Sequence, residues 1–286
     1  MTTIFNFMSL LTPFDPIHLK RIRIGNKGDG GYVMINDFDT KDKVALSFGV
    51  GDEISWDNHM ASLGYDVFMF DHNTVPLPAN LHQKCQFFPL GLTAPAQTSD
   101  RLKDLETHLN LLNLKGKEMI LKLDIEGHEW ETLSTLSPNI LKRFTQIVVE
   151  FHEMGSIASN SIRTTYHKAL SNLVTNFTVV HVHGNNFGSR KHPNISLIDG
   201  FIVPHTLEVT FLRKDRDQFS PSNTWFPTEL DSPCCPRKSD IPLSFFSFSP
   251  NTAQENPLWQ NQKNISFSFP PKDPSKFKKF WMALRK

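Results

Sequence analysis

Short apolar runs alternate with segments of helical spacing up to about residue 216. Residues 44–50 and 65–72 have the apolar, β-compatible composition of buried strands. Between them, Ile54, Met60 and Leu63 fall near one face of a predicted helix over 52–64. The same alternation predicts strands at 85–93, 118–125, 146–153 and 178–186, a last β segment at 196–204 extending to 207–215, and helices at 98–116, 128–144 and 161–177, the second bent or split at Pro138.

Strands that alternate with helices at this spacing are typical of a doubly wound α/β sheet with right-handed crossovers. We therefore predict a mostly parallel sheet of seven strands within residues 44–216, whose carboxyl ends share one edge. Residues 1–43 form an N-terminal cap, and the apolar stretch before Pro16 predicts a short helix packed on the domain.

The composition changes in the third segment, an irregular C-terminal extension over 217–286. Pro, Ser, Asn and Phe are frequent there and no period is sustained, which is typical of disorder, whereas the Phe and Trp residues favour docking. Residues 271–286 cluster Lys with Phe and Trp. We interpret them either as a solvated terminus or as a contact with a membrane surface or a protein partner.

Composition narrows the class of protein. Lys and Arg number 30 against 29 Asp and Glu, a formal net charge of +1, so no global field attracts nucleic acid. The 3 cysteines lack the spacing of a metal motif or a disulfide framework, which favours a reducing, cytoplasmic location. No apolar run approaches the roughly 18–20 residues that cross a bilayer, so any membrane contact is peripheral, at the inner face.

A Gly-x-Gly turn follows the first strand, in SFGVGDEISWD. Gly49 and Gly51, on either side of Val50, would let backbone N–H groups approach a nucleotide-like ligand. Asp71 ends the second strand roughly 20 residues later, the offset at which an acid binds a ribose diol. Each feature alone also fits a structural turn or a cap, because the full G-x-G-x-x-G pattern is absent. Together they indicate a ligand that contains adenosine.

The start of the next helix distinguishes two such ligands. A dinucleotide places its pyrophosphate at a helix N-terminus, but Asp52 and Glu53 lie there in this chain. Two carboxylates repel phosphate and suit the cationic methionine end of S-adenosylmethionine. The electrostatics therefore favour a methyl donor over a nicotinamide cofactor.

Polar side chains end three of the predicted strands. The fourth ends in LKLDIEGHEWE with Asp124 and Glu126, and the fifth ends in VVEFHE with Glu150 and His152. The sixth ends in His181, His183, Asn185 and Asn186. Helix capping would explain one such end, since carboxylates satisfy the N–H groups of a helix start. Three ends at one edge instead favour a functional site, in which Asp124 faces the donor pocket.

These motifs together resemble the FkbM-type S-adenosylmethionine-dependent methyltransferases. RIGNKGDGGYVM, SFGVGDEISWD, LKLDIEGHEWE and VVEFHE carry the resemblance, which spans roughly residues 20–205. It implies a Rossmann-like methyltransferase fold and O-methylation of a small molecule or of a glycan. It places the donor at Asp29, Gly30, Gly31, Gly49, Val50, Gly51, Asp52, Asp71 and Gly91, and the catalytic edge at Asp124, Glu126, His128, Glu150 and His152. The chain departs from the pattern at Ser47, where many methyltransferases carry an acid.

The glycine-rich turn at 26–34 belongs to the same set. Its three glycines around Asp29 permit a tight turn with positive φ, which is typical of a β-hairpin tip. We expect this turn to close over the donor, with Asp29 or Tyr32 near the methionine end or the acceptor.

Two mechanisms remain open for removing the proton of an acceptor hydroxyl. His152 or His128 could act as a base oriented by Glu126 or Glu150, which the sequence slightly favours. Alternatively, Asp124, Glu150 and His152, or His183, could hold Mg²⁺ or Mn²⁺ over the acceptor. A sugar or glycan precursor is the expected acceptor, with a protein or lipid head group as further options. The rival classes are a nicotinamide-dependent oxidoreductase and a non-catalytic scaffold that acts through its C-terminal tail.

Overall fold

The computed structural model describes residues 2–73, 80–187 and 194–243. The helices of these ranges are α1 (Ile4–Ser9), α2 (Ser55–Ser62), α3 (Leu105–Leu111), α4 (Glu129–Thr135), α5 (Pro138–Leu141) and α6 (Asn160–Asn176), with 3₁₀ turns at Pro95–Gln97 and Met154–Ala158. The strands are β1 (Phe14–Pro16), β2 (Arg21–Ile24), β3 (Tyr32–Ile35), β4 (Val44–Phe48), β5 (Asp66–Phe70), β6 (Cys85–Phe88), β7 (Gly91–Leu92), β8 (Leu102–Lys103), β9 (Met119–Leu123), β10 (Phe144–Phe151), β11 (Phe177–Asn185), β12 (Ile195–Ile198), β13 (Phe201–Pro204), β14 (Thr206–Arg213) and β15 (Phe219–Pro221).

A seven-stranded sheet is the centre of the fold, in the order β11-β14-β10-β9-β4-β5-β6. The pairs from β10 to β6 are parallel, whereas β14 is antiparallel to both of its neighbours. The predicted α/β sheet is therefore confirmed as mostly parallel, but it is mixed. The physical reason is the connection: β11 reaches β14 through the β12–β13 hairpin, without a crossover that would return the chain to the amino edge.

Two predicted elements are shorter than expected. The third strand is interrupted after Phe88, and the helix predicted over 98–116 covers only Leu105–Leu111. Asp104 caps this helix by accepting from the Thr107 N–H at 3.0 Å. The two residues before Asp104 pair instead with Gly91 and Leu92 in a short parallel ladder.

The last predicted β segment, 196–204, is a hairpin and not one strand. Asp199 and Gly200 form its turn with φ values of 49° and 85°, so β12 folds back on β13. Positive φ at both central residues is the signature of an Asp-Gly hairpin turn. The split predicted at Pro138 is confirmed, because α4 ends at Thr135 and α5 begins at Pro138.

The two faces of the sheet have different covers. The β2–β3 hairpin and α2 enclose one apolar cluster with the sheet, which includes Tyr32, Trp56 and Val148. On the opposite face, the ring of Trp130 in α4 stacks on Phe151 of β10 at 4.1 Å between centroids. The predicted N-terminal helix is confirmed as α1, whose buried Phe7 contacts the Trp130 ring.

The C-terminal extension packs on the sheet as far as it is described. Residues of β15 pair with β1, and Phe226 and Leu243 are buried. Asp231 accepts a hydrogen bond from His181 Nε2 on β11 at 2.8 Å. The expectation of disorder is therefore wrong for 217–243, because its aromatic and acidic residues dock on the sheet. The predicted contact through 271–286 lies outside the described residues. None of the described helices is long and apolar enough to cross a membrane.

Candidate active site

A pocket of about 440 Å³ lies at the carboxyl ends of β4, β5 and β9. Its described lining contains most of the predicted donor residues, namely Asp29, Gly30, Gly49, Val50, Gly51, Asp52, Asp71 and Gly91. Of the predicted catalytic residues it contains Asp124, Glu126 and His128. Glu150 and His152 lie next to Asp124, and one ligand atom of each is within 4.8 Å of the Asp124 carboxylate. The sequence motifs thus converge on one edge of the sheet.

The Gly-x-Gly turn is held by close contact with the end of β9. Gly49 has a φ of 77°, and a Cβ at this position would lie 1.4 Å from the carbonyl oxygen of Asp124. Lys122 Nζ donates to the Gly49 carbonyl at 2.9 Å. Only glycine allows β4 and β9 to end this close together, which brings Asp124 to the pocket wall.

Asp71 fixes the other side of the turn. Its Oδ2 accepts from the backbone N–H groups of Val50 at 3.1 Å and Gly51 at 3.0 Å. Its Oδ1 accepts from the Asn73 N–H at 2.7 Å. The strand-end acid and the glycine turn, read from the sequence as two signals, are therefore one hydrogen-bonded unit.

The described pocket lining is strongly acidic. Six carboxylates line it, from Asp29, Asp52, Glu53, Asp71, Asp124 and Glu126. Lys122 contributes a positive charge to the described lining, and its Nζ lies 3.9 Å from Asp124 Oδ2, so this charge is paired with a carboxylate. This charge distribution disfavours a phosphate and favours a ligand that carries positive charge.

The predicted hairpin tip is confirmed, because the glycine-rich turn joins β2 to β3 and its Asp29 and Gly30 line the pocket. A Cβ on Gly30 would lie 2.2 Å from Glu53 Cγ, so the hairpin tip packs against the segment that leads into α2. Gly31 is absent from the described lining, and its carbonyl accepts from Arg23 at 2.8 Å within the turn. The Tyr32 hydroxyl lies 3.2 Å from Asp124 Oδ2 and 3.3 Å from Glu150 Oε2, so its one proton lies within hydrogen-bond distance of both carboxylates.

His152 is surrounded by carboxylates. Its Nδ1 is 3.0 Å from Glu129 Oε1, and its Nε2 faces Glu150 at 3.5 Å, Glu126 at 3.6 Å and Asp124 at 4.0 Å. Burial lowers the pKa of His152, but the hydrogen bond and charge of Glu129 outweigh it and raise the pKa to about 10. This pKa favours the protonated imidazole at neutral pH, and the role of His152 as a general base stays a prediction.

Glu129 is the site residue that the sequence did not single out. Its fully buried carboxylate accepts from the N–H groups of Ile125 at 2.8 Å and Gly127 at 3.0 Å. It thus holds the turn before α4 and orients His152, where we predicted Glu126 or Glu150. An acid in the first turn of a helix is typical of dipole stabilisation, so its contact with His152 could not be predicted from the sequence.

Asp124 and Glu150 form a pair at the centre of the site. Glu150 Oε1 also accepts from Asn185 Nδ2 at 3.0 Å. Burial raises the pKa of Asp124 to about 6, and burial together with the charge of Asp124 raises that of Glu150 well above its ordinary value. Two neighbouring carboxylates beside one tyrosine hydroxyl are suited to hold and exchange a proton.

The same residues fit a divalent cation. One ligand atom from each of Asp124, Glu150 and His152 lies within 4.8 Å of the others. Glu129 at Nδ1 would fix the His152 tautomer that presents Nε2 to the ion, the usual support of a metal-binding histidine. Two carboxylates and an imidazole suit Mg²⁺ or Mn²⁺.

The protonation of these groups predicts how stability changes with pH in the presence of a chelator. The folded state binds more protons than the unfolded state between pH 3.8 and 6 because of Asp124, and between 6.5 and 10 because of His152. The contribution of each group to stability is fully present below its unfolded-state pKa, which is 3.8 for Asp124 and 6.5 for His152. It is lost as the pH rises through the folded-state pKa, about 6 for Asp124 and about 10 for His152. The free energy of unfolding, measured by urea titration, should therefore fall as the pH rises above 6.5.

His183 supplies the control for this prediction. Burial lowers its pKa, but the charge of Glu208 and the hydrogen bond that His183 donates to Asp240 outweigh that and raise the pKa to about 11. His152→Asn should therefore flatten only part of the decline above pH 6.5, with the His183 contribution retained. An unchanged pH profile in this variant would contradict the assigned protonation of His152.

Comparisons with known proteins add little to this description. No protein-family model matches the chain, and no curated protein matches it. The solved structures that match include one described as "Putative hemolysin from Streptococcus thermophilus", at 12% identity and a TM-score of 0.32 over 79% of this chain and 70% of that chain. So weak a likeness carries no argument. The fold and the site themselves define an α/β protein with an acidic pocket at the carboxyl edge of its sheet.

Proposed function

We propose that this protein is an S-adenosylmethionine-dependent O-methyltransferase of the FkbM type, with a Rossmann-like methyltransferase fold. Its proposed acceptor is a hydroxyl of a sugar or glycan precursor. The observation that carries the proposal is the pocket, where the glycine turn, Asp71 and an acidic wall meet at the edge of a mostly parallel sheet. A cytoplasmic location is part of the proposal, supported by the free thiols of Cys85, Cys234 and Cys235.

The charge of the wall supports this donor. S-adenosylmethionine carries a sulfonium and an ammonium group, which the carboxylates of Asp29, Asp52 and Asp124 would attract. A dinucleotide would bring a pyrophosphate toward the same groups, and Lys122 is already bonded to Gly49. Asp71, fixed at the end of β5, is assigned to the ribose hydroxyls.

The proton of the acceptor hydroxyl is assigned to the Asp124–Glu150 pair. When bound, S-adenosylmethionine supplies an electrophilic methyl group, and the attacking hydroxyl has to lose its proton. The charge of Glu129 helps to raise the pKa of His152 to about 10, whereas burial brings the pKa of Asp124 to about 6, closer to the range of an effective base. Tyr32 and Asn185 orient the two carboxylates through the hydrogen bonds described above.

A metal-assisted form of the reaction uses the same groups. Asp124, Glu150 and His152 would hold Mg²⁺ or Mn²⁺, which would lower the pKa of the acceptor hydroxyl. In that form Glu129 keeps the proton on Nδ1 and orients the imidazole.

Isothermal titration tests the donor assignment. We expect S-adenosylmethionine and S-adenosylhomocysteine to bind, and Asp71→Asn to weaken binding about 10- to 100-fold through the loss of charged hydrogen bonds. Asp66→Asn is the matched control, because Asp66 begins the same strand at the opposite edge and is exposed. Its affinity should equal that of the wild type.

NADH is the control ligand. Binding of NADH without binding of either adenosyl ligand would replace the proposal with a nicotinamide-dependent activity. If none of the three ligands binds, the result would favour a non-catalytic scaffold.

A further inference from the structure

A second cluster of metal-ligating side chains lies outside the pocket. One ligand atom from each of His183, Glu208 and Cys234 lies within 4.8 Å of the others. His183 is on β11, Glu208 on β14, and Cys234 in the segment that follows β15. All three residues are buried.

Glu208 contacts both of the other residues in this cluster. Glu208 Oε2 is 2.9 Å from His183 Nδ1, and Glu208 Oε1 is 3.1 Å from Cys234 Sγ. A carboxylate in contact with both an imidazole nitrogen and a thiol is unusual for a purely packed core, because burial penalises each charged form. Nitrogen, oxygen and sulfur together form the ligand set that zinc prefers in proteins.

The outer contact of His183 also fits metal binding. Its Nε2 is 3.0 Å from Asp240 Oδ1, so a proton on Nε2 would be held there and Nδ1 would be left as a ligand. A carboxylate on the far nitrogen is the arrangement that orients metal-binding histidines. Glu129 and His152 show the same arrangement at the active site.

The surrounding charge favours a cation at this point. Glu208 pairs across the strands with Glu150 on one side and with His183 on the other. A row of acidic groups therefore runs from the active site to Cys234 on the face under the β2–β3 hairpin. A divalent ion would offset this buried negative charge more fully than the single proton of an imidazolium.

We propose that His183, Glu208 and Cys234 bind one zinc ion, which fastens the segment after β15 to the central sheet. The three protein ligands leave the fourth tetrahedral position to a water molecule. Binding would displace the Cys234 thiol proton and the Nδ1 proton of His183. This site is independent of the methyl donor, and its ligands come from positions too far apart in the chain to form a sequence motif.

Metal analysis of the full chain tests the proposal. After dialysis against metal-free buffer, the wild type should retain about one zinc per chain. Cys234→Ser should lose it, whereas Cys235→Ser, a change at the adjacent buried cysteine outside the cluster, should retain it. Equal zinc content in the two variants, or none in the wild type even after zinc is added, would overturn the proposal.

Cobalt substitution keeps the test decisive if Cys234→Ser does not fold. Co²⁺ bound by a thiolate gives a charge-transfer absorption band, whereas Co²⁺ at the Asp124–Glu150–His152 site has no sulfur ligand. We expect this band in the wild type and in Cys235→Ser. Cobalt binding without the band would show that the metal occupies the oxygen-rich site alone, and would refute the assignment.

Discussion

Replacing Gly49 with alanine is expected to lower the free energy of unfolding by roughly 2–5 kcal/mol. About 1–2 kcal/mol comes from placing a side chain at a φ of 77°. A further contribution of about 1–3 kcal/mol comes from the clash of the new Cβ with the Asp124 carbonyl oxygen, 1.4 Å away. The backbone carbonyl of Asp124 cannot rotate away as a flexible side chain would, so β4 and β9 must separate. Urea unfolding measures the loss.

Gly51→Ala is the matched control, two residues along the same turn. Gly51 also has positive φ, 56°, but a Cβ there meets no described atom within 4 Å. It should cost only about 1–2 kcal/mol, the conformational part. Donor binding should be lost in folded Gly49→Ala, because the displaced turn moves Asp124 out of the pocket wall. Equal stability of the two variants would show that the close approach of β4 and β9 is not required.

Replacing Glu129 with glutamine is expected to destabilise the protein by about 3 kcal/mol, because it leaves His152 without the charge of its buried partner. Glutamine keeps the shape of the side chain but has only one acceptor oxygen, so the loss combines the charge with one of the two hydrogen bonds from the Ile125 and Gly127 N–H groups. The pKa of His152 should fall from about 10 toward its ordinary value of 6.5. Urea unfolding at neutral pH gives the stability, and NMR titration of the imidazole gives the pKa.

Glu126→Gln removes a different carboxylate from the same imidazole. Glu126 Oε2 is 3.6 Å from His152 Nε2, but its side chain is 87% exposed while that of Glu129 is fully buried. Solvent screens the exposed charge, so stability and the His152 pKa should change little. A fall in the His152 pKa as large as that in Glu129→Gln would mean that distance, and not burial, sets the proton affinity of this histidine.

Much of the fold could be predicted because its signals are local. Apolar runs and helical spacing located the strands of the central sheet, since periodicity follows from which face each residue buries. The positions of Gly49, Asp71 and Asp124 at strand ends then placed them at one edge, because parallel strands end on the same side. The antiparallel β14 was not foreseen, since a strand's direction depends on the connection before it.

The sequence by itself determined the mostly parallel α/β sheet, the glycine turn and the acidic character of the carboxyl edge. Only the tertiary structure decided which groups face each other there. Glu129 holds the proton on His152, and Asp240 and Cys234 meet His183 and Glu208 from the C-terminal segment. Such contacts join residues far apart in the chain, so they have no period or spacing to detect. Burial and the neighbouring charges then set the proton affinity of each group, and both exist only once the chain has folded.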